Sequence, residues 1–164
     1  SNDISKTKTF DCVNSTLNYC NGGELYFENK DFEKIYFTDS RIQNISQSSS
    51  QGFGFRSIKD DTVAFSCSDN ISYENIINAS KTVNSIINSK NKDDTVYKKN
   101  QNIKPLYISK NPLTNLEFSK KIMLLEKMNN FARKLDNRVV QVSISLTGSY
   151  SHIQILKKDY EKSC

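Results

Sequence analysis

A chain of 164 residues is long enough to bury one ordinary hydrophobic core, and two full-sized domains are not the default reading. Hydrophobic residues make up 36% and mean hydropathy is -0.62, which predicts a thin core of periodically placed Ile, Leu, Val, Phe and Tyr. A net charge of +5 comes from scattered lysines and arginines, so the chain lacks the massed basic face that phosphate backbones require.

No apolar run approaches the roughly 18 residues of a membrane span, and the polar start from Ser1 to Thr9 has no signal-peptide core. A cytoplasmic location and no membrane partner are the expectations. The start without Met reads as a scar at Ser1-Asn2, which leaves room for a trimmed targeting segment. Cys12, Cys20, Cys67 and Cys164 form no C-x-x-C pair, so free thiols in a reducing compartment are expected. With one histidine, His152, the chain by itself offers no ordinary zinc ligand set, and neither a metal nor another cofactor is expected in it.

In chain order, Phe10, Val13, Leu17 and Cys20 recur at three and four, predicting a short helix stopped by Gly22-Gly23. Leu25 and Phe27, then Ile35 and Phe37, alternate with other residues on either side of "ENKD", which predicts a hairpin turning there. Arg41 to Gln51 is polar on both faces and reads as a strand through its neighbours. Phe53 and Phe55, then Val63, Phe65 and Cys67, predict a second hairpin turning at Lys59-Asp60-Asp61.

Ser72 is a suitable N-cap for a helix running to about Ser89, with Ile76, Ala79, Val83, Ile86 and Ile87 as its apolar stripe. A long polar surface connection follows at about 90–112, carrying Pro105 and Pro112. "TNLE" at Thr114 to Glu117 is a capping box, after which Phe118, Ile122, Leu125, Met128, Ala132 and Leu135 predict a core-facing helix. Val140, Val142, Ile144 and Leu146, then Ile153 and Ile155 beyond Gly148, predict a closing hairpin. The whole, 1–164, reads as a single α+β domain: a mostly antiparallel sheet with helices packed on one face.

The stretch "QGFGFR" poses a choice between a phosphate-binding loop and a strand. A phosphate loop leads from a strand into a helix whose first amides hold the anion. Gly52 and Gly54 instead lie inside a strand alternation that continues into another strand, so they mark a bend or the close approach of another backbone. Arg56 falls on the same strand face and could reach a carboxylate or a peptide carbonyl; the alternative is a salt bridge to a neighbouring strand. Gly52, Gly54 and Arg56 are therefore the candidate contact for a peptide or partner strand. No catalytic residue is assigned: His152 has no second histidine or triad beside it, no serine sits in a G-x-S-x-G elbow, and the "KDD" carboxylates are turn residues.

Taken together, "ELYFE", "QGFGFRSI" and "VAFSCSDNIS" resemble the N-terminal region of the TldD/PmbA family, once described as modulators of DNA gyrase. The family's pattern is Q-G-x-G-x-R, followed by G-F-A-Y-x-D-x-I-S. Further on, "NPLTNLEF" to "SISLTGSY" is similar to the family's D-P-L, long helix and S-L-S-G-x-Y strand. The resemblance runs from about Glu24 to about Ile155, broken by the polar connection.

The resemblance implies a peptidase whose full-length subunit carries a zinc-binding H-E-x-x-x-H helix, pairs with a paralogous subunit and cleaves peptides. Zinc there would bind two histidines and a thiolate, with the glutamate as general base. That motif is not in this sequence. The expectation is a TldD-like N-terminal domain, excised or from a shortened gene, which is inactive alone and serves as the architectural and substrate-access half of the enzyme. Its implied partners are the C-terminal peptidase domain, a paralogous TldD/PmbA-type subunit and a peptide substrate. A stand-alone module pairing with the paralogue is the first alternative, and nucleic-acid binding is a weaker one.

Overall fold

The computed structural model describes residues 5–87, 110–158 and 160–163. Nine elements follow in order: α1 (Lys6–Thr16), β1 (Gly22–Thr38), β2 (Arg41–Lys59), β3 (Thr62–Ser68), α2 (Tyr73–Ile87), α3 (Pro112–Asn115), α4 (Phe118–Leu135), β4 (Ser143–Lys157) and β5 (Tyr160–Ser163). The strand order is β3-β2-β1-β4-β5, and the class is α+β. Two compact units share these strands: one holds residues 1–29, 50–107 and 152–164, the other 30–49 and 108–151.

In the first unit, α1 is capped by Ser5 and buries Cys12 and Val13, while Leu17 and Cys20 are buried just after its last turn. The helix ends at Thr16, six residues before the expected glycine stop at Gly22. Gly22 opens β1 instead, and Gly23 takes φ +150, with a built Cβ falling 2.4 Å from the Arg56 carbonyl oxygen. This glycine serves close backbone approach between strands. Phe53 and Phe55 of β2 join Leu25, Ala64, Ile76, Ala79, Val83, Ile87 and Leu156 in the core. The Phe27 and Phe53 rings meet tilted at 6.1 Å between centroids.

The β2–β3 hairpin turns at Asp60-Asp61 as expected, with Lys59 opposite Thr62 and Phe53 opposite Ser68. α2 packs on β3 and α1 on α2, the two helices being joined by Thr16 Oγ1 and Ser80 Oγ at 2.7 Å. Ala64 is the β3 residue buried in this core, whereas the larger Val63 and Phe65 are exposed. α2 begins after Ser72, whose Oγ accepts from the Asn75 amide, and Ile86 lies outside its buried stripe.

In the second unit, Ile35 and Phe37 of β1 pack with Leu125 of α4, flanked by Ile122, Ile144 and Leu146. Here several expectations are corrected. β1 runs unbroken through "ENKD" from Gly22 to Thr38: Leu25, Phe27, Ile35 and Phe37 are all odd-numbered, so their alternation keeps step without a turn between them. Glu28 to Asp31 line neither core, which leaves that middle stretch polar. The turn comes at Asp39-Ser40 instead, with φ of 48 and 65, the pair of positive values that a two-residue hairpin turn needs. It carries neither Gly nor Asn, the residues that normally announce it.

The capping box does not form, since Thr114 belongs to the short α3 and α4 starts after Glu117 without a side-chain cap. Pro112, expected as a connection residue, opens α3 behind the Asn111 cap. On α4 the buried side chains are Lys121, Leu125 and Asn129, so the helix is rotated from the expected stripe: Phe118, Met128 and Leu135 are exposed. Finally, β4 continues through Gly148 to Lys157, and its hairpin pairs Lys157 with Tyr160. Gly148 makes room for a side chain, because a Cβ there would sit 2.6 Å from Leu113 Cδ2. Val140 precedes the strand and is exposed. The expected connection at about 90–112 lies mostly outside the described residues.

Candidate functional site

Alternation along β2 sends Phe53 and Phe55 into the core of the first unit and turns Gly52, Gly54 and Arg56 to the opposite face. The three residues singled out in the sequence do share one face. Gly54 is covered there by Phe65 of β3, whose ring would lie 2.9 Å from a Cβ at that position. The aromatic side chain fills the space a β-carbon would take, a diagonal cross-strand arrangement. Arg56 Nη2 holds Glu24 Oε1 of the adjacent β1 at 2.7 Å, the salt bridge to a neighbouring strand named as the alternative. The guanidinium stays about half exposed, with donors to spare.

Gly52 sits where the cover of β2 ends. β3 pairs with β2 only from Phe53 onward, and the preceding residues of β2, from Arg41, precede that register. Every residue from Arg41 to Gln51 is exposed. Among the described residues this half of β2 has no strand partner on the β3 side, and polar side chains are how proteins keep such edges soluble. This explains the two-sided polarity of "RIQNISQSSSQ".

In the second unit a groove of about 350 Å³ lies among β1, β2 and the start of α3, lined by residues that include Glu33, Gln47, Ser48 and Leu113. Sequence reasoning missed its chemistry. Lys121 of α4 reaches Glu33 Oε1 at 2.5 Å and also donates to the Leu113 carbonyl at 2.9 Å, while Gln47 Nε2 donates to Glu33 Oε2 at 2.9 Å. The Lys121 hydrogen bond holds the Glu33 carboxyl below the ordinary carboxylate range, against the upward push of burial. A carboxylate so fully engaged is a poor general base, so this pair reads as a positioning element for the groove wall. The available signal was an ionisable residue, Lys121, on the helical face of Leu125.

His152 is exposed on β4. Among the described residues no group of three or more His, Cys, Asp or Glu side chains could hold a metal ion. The donor set of the described residues therefore does not fit the zinc implied by the resemblance. Cys12 and Cys20 are buried free thiols and Cys67 an exposed one. Burial pushes the Cys20 thiol up, opposed by the charge of Lys59. No helix among the described residues is long and apolar enough to cross a membrane.

Comparison with known proteins fits this geometry. Residues 23–86 match the family described as PmbA/TldA metallopeptidase domain 1. A metalloprotease TldD homolog of Buchnera aphidicola from Acyrthosiphon pisum is 35% identical over 137 residues, covering 84% of this chain and 28% of that protein. The homolog from the Schizaphis graminum strain is 31% identical over 159 residues, covering 96% and 33%. This chain thus spans about a third or less of these relatives. The fold is shared with a Bacteroides thetaiotaomicron protein named as a modulator of DNA gyrase (TM-score 0.69, 15% identity, 99% of this chain and 38% of that one). It is shared also with TldE of Thermococcus kodakarensis (TM-score 0.63, 14% identity, 96% and 36%). The chain belongs to the TldD/PmbA family and corresponds to its N-terminal domain.

Proposed function

We propose that this chain is the architectural and substrate-access domain of a TldD-type zinc metallopeptidase, and that residues 1–164 act as one such domain in the cytoplasm. The observation that carries the reading is a pairing of two facts. Relatives named metalloproteases extend far beyond the region matched, and the matched region has no donor cluster among its described residues. Metal and hydrolysis then belong to the remainder of the enzyme, and this domain contributes shape and peptide access.

The open half of β2 supports a role in peptide handling. An extended peptide could add at Ser50 to Gly52, just before the β3 register begins, by main-chain hydrogen bonding, with Arg56 offering a spare donor nearby. Gly52, Gly54 and Arg56 are thus the proposed contact for a peptide or for a strand of a paralogous TldD/PmbA-type subunit. A chimera in which this chain replaces the matched region of the A. pisum Buchnera homolog tests the reading. Zinc and peptide hydrolysis are expected in the chimera and neither in the 164-residue chain. Hydrolysis by the chain alone, or an inert chimera, would refute it.

A further inference from the structure

The rotation of α4 leaves a second apolar seam on the helix. Leu124, Met128, Phe131 and Leu135 are 44%, 48%, 65% and 70% exposed. Their spacing of four, three and four aligns them along one side, separate from the buried Lys121, Leu125 and Asn129. Four large apolar side chains in a row are not scattered surface residues of the ordinary kind; such a strip marks a surface that another element covers. Along one flank run exposed Lys120, Lys127 and Lys134, each seven residues from the next.

We propose that this seam docks the part of a TldD-type chain that lies outside the region matched here, through an apolar segment bordered by carboxylates. The proposal rests on the reading above and adds the surface that joins the two parts. Two observations select this occupant. The relatives carry a long remainder, since this chain accounts for 28% and 33% of two of them. A second copy fits less well by charge: its seam would bring its own Lys127 and Lys134, and the acid at the start of this helix, Glu117, is already taken by Lys120 at 3.8 Å. A remainder presenting Asp or Glu along its rim would pair with Lys127 and Lys134, the two lysines of the row beyond the Lys120–Glu117 pair.

The chimera with the A. pisum Buchnera homolog reads this directly. With a benzophenone photo-crosslinking residue replacing Phe131, illumination is expected to join α4 to the homolog-derived part of the same molecule. Leu124→Glu is expected to reduce that cross-link by about tenfold or more, as a charge placed in an apolar contact does. In the 164-residue chain Leu124→Glu is expected to leave the far-ultraviolet circular dichroism unchanged, because Leu124 is already partly in solvent. Cross-links between two chimeras would assign the seam to self-association and overturn the proposal. So would no cross-link at all, or unfolding of the substituted chain. Peptide hydrolysis is scored separately: an inert chimera that still cross-links refutes the functional reading and leaves the docking surface standing.

Discussion

Lys121 of α4 and Glu33 of β1 meet at 2.5 Å with both side chains buried, and Gln47 and the Leu113 carbonyl complete their hydrogen bonds. A charged pair at this depth is stable only because each member has the other. Replacing Lys121 with Met leaves a buried carboxylate facing an apolar chain, and the expected cost is about 3–5 kcal/mol. Denaturant unfolding of Lys121→Met measures it. The double variant Lys121→Met with Glu33→Leu is expected to recover most of the loss, and a double variant as unstable as the single one would contradict this account.

The same pair sets a pH dependence. Glu33 has a folded-state pKa below its unfolded value, so it binds protons more readily when unfolded. Its contribution is fully present above the ordinary carboxylate pKa and is lost as pH falls through the lowered folded value. The unfolding midpoint of the native chain is expected to drop more steeply in acid than that of Glu33→Gln. Parallel acid profiles would remove Glu33 from the explanation.

Two glycines of the first unit are expected to differ in their tolerance of alanine. At Gly23 the backbone is at φ +150 and the obstacle is the Arg56 carbonyl oxygen, neither of which can move aside. Gly23→Ala should cost about 2 kcal/mol or more through strain and displaced strand pairing. At Gly54 the obstacle is the far edge of the Phe65 ring, an exposed side chain able to swing outward. Gly54→Ala should stay within about 1 kcal/mol, since the strand also loses its glycine penalty. Thermal melts of the two variants decide the matter.

Thiol reactivity separates the cysteines by burial. In a Cys164→Ser background, native protein is expected to release one equivalent in a chromogenic disulfide assay, from exposed Cys67, and denatured protein three. Rapid reaction of Cys20 under native conditions would contradict the burial that raises its pKa.

Local patterning was sufficient for the helix at Tyr73–Ile87 and for the hairpin at Asp60-Asp61, because there the cap, the alternation and the turn residues all agree. It was sufficient as well for placing Gly52, Gly54 and Arg56 on one face, since strand parity alone does that. The turn at Asp39-Ser40 was hidden because no Gly or Asn signals it. It is held from outside: Arg133 of α4 bonds Asp39, Asn129 Nδ2 donates to Ser40 Oγ at 2.9 Å, and the Val142 amide donates to Asp39 at 3.0 Å.

The two faces of α4 show the same limit. Its sequence offers one apolar seam through Leu124, Met128, Phe131 and Leu135 and another side carrying Lys121, Leu125 and Asn129. The stripe that apolar spacing predicts, through Phe118, Ile122, Leu125, Met128, Ala132 and Leu135, straddles the two. The fold buries the second because β1 supplies Glu33 for Lys121 and the hairpin supplies Ser40 for Asn129, partners many residues away in the chain. Apolar period establishes that a helix or strand exists and which residues share a side; which side turns inward depends on polar partners that only the tertiary fold brings within hydrogen-bonding distance.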